Sequence, residues 1–169
     1  MREQLVAWAG DCVVRGSVEL GEGRLSDRVN ELDTVTFFDV TLRSLDDGHE
    51  VDVDELEVER GELHVIEVRG RRGDPGRRLP TVEERVTLEL GPFEVTGNLH
   101  RPPHTHSLAS LSRWPHFVPM TDALVGMRDR DDERVAQPVV LVNRERIGKT
   151  RTHTVMPVFA DEPPPTPPA

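Results

Sequence analysis

The sequence predicts a mainly β fold made of two duplicated small β units, each a curled sheet or open barrel with one short helix. Three observations carry that expectation. Val and Thr are plentiful, turn residues recur at short intervals, and long helical periodicity is scarce. The stretch "VVRGSVEL" (13–20) returns 81 residues on as "EVTGNLHR" (94–101). Finally, 169 residues with 36% hydrophobic content afford only a thin core to each half. Domains that small need a partner surface, so the units are expected to pack as a pseudo-twofold pair.

Each element follows from a matched pair of segments. "QLVAWAGDCVVRGSVEL" (4–20) lies over "RVTLELGPFEVTGNLHR" (85–101). Leu5, Ala7 and Ala9 meet Val86, Leu88 and Leu90, the alternation of a half-buried strand. Gly10-Asp11 and Gly91-Pro92 mark the same turn, and Val14 and Gly16 meet Val95 and Gly97 in the second strand. At those two glycines a side chain would meet neighbouring backbone or resist a bulge. "RLSDRVNE" (24–31) and "SLASLSR" (107–113) predict short helices, capped by Ser26 and Ser107.

"TFFDVTLRSL" (36–45) then matches "HFVPMTDALV" (116–125), with Phe37 on Phe117 and Thr41 on Thr121. "LEVERGEL" (56–63) matches "VLVNRERI" (140–147), placing Val58 on Val142, Arg60 on Arg144 and Leu63 on Ile147. These last segments are expected to open two-strand hairpins, the first turning at Arg60-Gly61. The division is a first unit over 1–72, an Arg/Gly/Pro linker over 73–81, a second unit over 82–160 and a polyproline-like tail over 161–169.

The second unit, from Val95 to Ile147, is similar to a pattern in uncharacterised small bacterial β-rich domains. The pattern consists of a Gly-containing strand, a Leu-Ser-Asp-like helix start, a Phe-hydrophobic-Pro-Leu-Thr-Asp strand and a Val-Asn-Arg/Lys hairpin. The first unit keeps "RLSDRVNE" but has Thr41-Leu42 where the pattern has Thr-Asp. The resemblance implies the fold blocks and no catalytic residue.

Charge narrows the function classes. The net charge is −10, with 18 acids against 9 bases in 1–72 and 13 against 12 in 73–169. So acidic a first unit repels phosphate, which disfavours nucleic acid and anionic membranes. The five arginines of 69–78 have no interleaved aromatic for base stacking. No apolar run approaches a membrane span or a signal-peptide core, and the single cysteine, Cys12, excludes an internal disulfide. The chain reads as cytoplasmic.

Chemistry-bearing candidates are few. His100, His104 and His106 in "HRPPHTH" have the crowding of a Zn, Ni or Cu site, but two prolines interrupt them and no acid flanks them. A histidine-bearing surface loop is the expectation, with a metal-binding sensor or metal-dependent enzyme as the alternative. "DDGHEVDVDE" (46–55) has Gly48 too early for a calcium loop and reads as a strand with one solvated face. Arg24 and Arg28 resemble the opening of the PilZ cyclic-dinucleotide site, yet its downstream Asp/Asn-x-Ser-x-x-Gly is missing. No nucleophile elbow, P-loop or dinucleotide glycine pattern occurs. The expectation is a non-enzymatic binding or regulatory protein without a cofactor. Its partner is another protein, a small ligand or a second copy, and the interaction candidates are Arg60, Arg144, Thr121 and Asp122.

Overall fold

The computed structural model describes residues 2–19, 21, 23–69, 80–105 and 111–153. The first half runs β1 (Arg2–Ala9), β2 (Cys12–Glu19), α1 (Leu25–Glu31), β3 (Thr34–Ser44), β4 (Glu50–Glu59) and β5 (Leu63–Glu67). The second half runs β6 (Val82–Leu90), β7 (Phe93–Arg101), β8 (Phe117–Met127), β9 (Val135–Asn143) and β10 (Ile147–Thr152). All ten strands form one antiparallel sheet in the order β10-β6-β7-β8-β9-β5-β1-β2-β3-β4. A mainly β fold is therefore what forms. The order β5-β1-β2-β3-β4 of the first half recurs as β10-β6-β7-β8-β9 in the second.

The two halves meet edge to edge. Strand β5 pairs with β9, placing Val65, Ile66 and Glu67 opposite Val142, Leu141 and Val140. The expected hairpins do not form, because β4 pairs with β3 while β5 crosses to β1. A 3₁₀ turn over Arg60–Glu62 makes that crossing. A flat sheet would hold β5 and β4 ~19 Å apart, four strand spacings. The four Cα steps from Glu59 to Leu63 span at most about 14 Å, so the five strands must curl. Arg144–Arg146 makes the matching turn in the second half.

Two bulges sharpen the bend. Pairing of β2 with β3 shifts register at Gly16, and pairing of β7 with β8 shifts at Gly97. A Cβ on Gly16 would lie 3.0 Å from the Phe38 carbonyl oxygen, and one on Gly97 would lie 3.1 Å from that of Thr121. The facing strands carry Asp39 and Asp122 in left-handed backbone, with φ of 52° and 48°. Asp tolerates that region better than most residues.

Each face of the sheet carries one core. Leu5, Ala7, Val14, Val18, Phe37 and Ile66 pack on one face, and Val86, Leu88, Val95, Leu99, Met120 and Val140 on the other. The halves exchange side chains across the sheet. Phe117 of β8 enters the core of the first half, and Trp8 of β1 enters that of the second, edge-on to Phe93 with centroids 5.4 Å apart. Polar ties reinforce the seam. Asn30 donates to the Phe117 carbonyl and accepts from its N–H, and Asn143 donates to the Arg60 and Leu63 carbonyls.

Three local expectations are corrected. Ser26 lies inside α1, whose N-cap is Arg24 without a side-chain cap bond. Register places Phe37 beside Val18 and Met120 beside Leu99, so the counterpart of Phe37 is Met120, not Phe117. Leu111–Arg113 forms a 3₁₀ turn where the second helix was expected. Ser107, most of the 73–81 linker and the 161–169 tail lie outside the described residues.

Candidate functional site

The residues singled out from the sequence serve mostly to brace the fold. The Arg60 guanidinium donates to the Asn30 carbonyl at 3.0 Å and pairs with Asp33 at 3.2 Å, tying down the end of α1. Arg144 does the same for the second half, donating to the carbonyls of Leu111, Ser112 and Trp114. Asp122 supplies the positive-φ bulge, and its carbonyl accepts from Arg85. Thr121 Oγ1 lies 2.7 Å from His100 Nε2.

That bond engages His100 on β7, away from any ligand cluster. His104 sits exposed in the turn that follows, with φ of 66°, and His106 lies outside the described residues. Among the described residues no three His, Cys, Asp or Glu side chains converge as metal ligands.

A different constellation emerges where the first half's outer sheet face meets the β8–β9 connection. Two rows cross the strands there. One runs from Trp8 through Val13 to Arg43, and the other from Glu67 through Val6 and Arg15 to Thr41. Side chains two apart on a strand share a face, so Arg15 and Arg43 stand diagonally across neighbouring strands on one face. With Met127, Arg130, Val135 and Gln137 from the second half they line a cleft of about 500 Å³.

The floor of the cleft is polar but satisfied. Glu67 is 3% exposed, and it accepts from Trp8 Nε1–H at 3.0 Å, from Gln137 at 2.9 Å and from Arg69 at 3.3 Å. Those donors supply the hydrogen bonds that a buried carboxylate requires. The walls are less satisfied. Arg69 and Arg130 pair with Glu67 and Glu133. Arg15 and Arg43 pair with no carboxylate among the described residues, and Arg43 Nε is buried without a hydrogen-bond partner. Burying a guanidinium N–H unpaired costs roughly 1–3 kcal/mol, more for a charged group. In a chain of net charge −10, these two guanidinium groups share the cleft lining with the carboxylates of Asp46, Asp47, Glu67 and Glu133, but make no ion pair with them.

The rim includes the β3–β4 turn, where Gly48 has φ of 73° and Asp47 accepts from the His49 N–H. That bond holds the Asp47 carboxyl below its ordinary range, with the Ser44 hydroxyl adding to it. Two further groups, outside the cleft lining, are shifted from their ordinary pKa. Burial pushes the His64 imidazole below its ordinary pKa, packed as it is edge-on to Phe93 and against Gly91. Burial, then the neighbouring Asp11, pushes the Cys12 thiol up to about 11, so it is no nucleophile at neutral pH.

No family model, curated protein or solved structure matches this chain.

Proposed function

We propose that this chain is a non-enzymatic binding protein that takes a small anionic ligand in the cleft between its halves. The observation that carries the reading is the pair Arg15 and Arg43, diagonal neighbours across β2 and β3 that make no ion pair among the described residues. A carboxylate or phosphate would supply the acceptors they lack, in bidentate fashion. Trp8, Met127 and Val135 offer apolar contact for the ligand's body, as small-molecule sites require.

The two halves descend, on this reading, from one duplicated unit. Shared strand order, the paired bulges at Gly16 and Gly97, the left-handed Asp39 and Asp122, and the bracing Arg60 and Arg144 all support it. Divergence then explains why only the first half's outer face presents the arginine pair. We place the protein in the cytoplasm, in accord with a sequence whose single cysteine allows no internal disulfide.

Thermal unfolding with inorganic phosphate, pyrophosphate or citrate tests the reading. An anion at a hundredfold its Kd stabilises by ~2.7 kcal/mol, or roughly 5–11 °C for a chain of this size. Arg43→Gln and Arg15→Gln should each abolish the shift, and Arg15→Gln, at an exposed side chain, should leave unliganded unfolding close to wild type. An equal response in wild type and both variants, or no response to any anion in the wild type, would refute the site.

A further inference from the structure

We infer that copies of this chain associate head to tail, the β10 edge of one adding antiparallel to the β4 edge of another. The inference rests on the two ends of the sheet and is independent of the cleft. Strands β4 and β10 each pair on one side only among the described strands, leaving a row of backbone donors and acceptors on the other.

The molecule already contains one junction of this kind. Inside the chain the fifth strand of the first half, β5, adds antiparallel to the fourth strand of the second, β9. The two free edges are the remaining strands of the same types: β10 is the last strand of its half, and β4 the fourth of the other. Repeating the internal register between copies sets Thr150 of one opposite Glu57 of the next, between Lys149 and Arg151 in sequence.

Charge selects this pairing over the alternatives. Strand β4, EVDVDELEVE, carries six carboxylates and no base, whereas β10, IGKTRT, carries two cations and no acid. Pairing β4 with a second β4 would align like charges, which is destabilising. Pairing β4 with β10 brings unlike edges together. In that register Lys149 stands opposite Val58 and Arg151, bound to Glu94 at 2.6 Å, opposite Leu56, so the complementarity belongs to the two edges as wholes and not to one ion pair.

Substitution also sets the strength. Val65, Ile66 and Leu141 cover the internal junction with apolar side chains, and their counterparts at the free edges are Lys149, Thr150 and Glu57. The external contact is therefore electrostatic and reversible, and salt within a Debye length of the charges weakens it. The interface is heterologous, so growth past a dimer is allowed unless the copies close on themselves.

Sedimentation equilibrium of the full chain decides it. At about 50 mM NaCl the weight-average mass should rise above monomer as protein approaches about 0.5 mM, and about 500 mM NaCl should weaken association roughly tenfold. Lys149→Glu alone and Glu57→Lys alone should each be monomeric, with circular dichroism confirming an intact sheet. Mixed in equal amounts, they offer one native pair of edges and one with its charges exchanged, so association should recover. A monomeric full chain throughout, as when its own residues after His153 cover β10, overturns the inference. Association that ignores both salt and Lys149→Glu overturns it too, as does a mixture that stays monomeric.

Discussion

Replacing Phe117 by alanine tests the central claim about stability, that the halves share their cores. Phe117 belongs by sequence to the second half, yet its ring is 0% exposed inside the core of the first. Truncation removes the ring's transfer free energy and leaves a cavity that Asn30 prevents the backbone from closing, since it holds both the N–H and the carbonyl of residue 117. A buried Phe→Ala change costs ~3–5 kcal/mol, and each kcal/mol lowers the melting temperature of a chain this size by ~2–4 °C. The expected drop is thus roughly 6–20 °C. Urea unfolding followed by both tryptophan fluorescence and far-ultraviolet circular dichroism is the assay. Trp8 reports on the second half's core from a first-half strand, so a shared body gives coincident transitions that both move to lower urea. Two separated transitions, or a loss below about 1 kcal/mol, would refute the exchange of side chains.

Gly97→Ala should destabilise by roughly 1–3 kcal/mol through overpacking, because its Cβ would press on backbone atoms of Thr121 and Ala123 at 3.1 and 3.3 Å; urea midpoints read the loss. His64 has a folded pKa below its unfolded value, so the unfolded chain takes up the proton first. Its contribution is complete above pH ~6.5 and is lost as pH falls toward the folded pKa, and His64→Gln should flatten the stability difference between pH 7 and pH 5. Cys12, with its thiol pushed up to about 11, should react with iodoacetamide at pH 8 far more slowly than an unfolded control, and mass spectrometry counts the adducts.

Much of the strand framework was readable because it depends on local pattern. Period-two alternation marked β1 and β6, and the offset glycines marked both bulges. The matches Val58 with Val142 and Leu63 with Ile147 agree with the observed registers. Phe37 with Phe117 failed for a physical reason. The structural offset of that strand differs from the assumed one by three residues, an odd number, and an odd slip in a strand turns a side chain to the other face. Phe117 consequently leaves its own half's core for its neighbour's. The hairpin reading failed because strand pairing is a long-range choice, and β5 finds β1 and β9 rather than β4. The cleft was invisible for the same reason. Trp8, Arg15, Arg43, Glu67 and Gln137 come from five separate strands, and only register assembles them. One clue stood in the text: Glu67, an acid closing the apolar run LHVIE, all of which is buried.

The β5–β9 junction also imposes an order on synthesis. Val142 follows its partner Val65 by 77 residues, so at ~5–20 residues per second a ribosome delivers it ~4–15 s later. Throughout that interval β5 is the bare rim of a nascent first half, with Val65 and Ile66 uncovered. Hydrophobic strand rims of that kind invite capture by other chains. The seconds before β9 emerges are when this rim is open to mispairing with another chain.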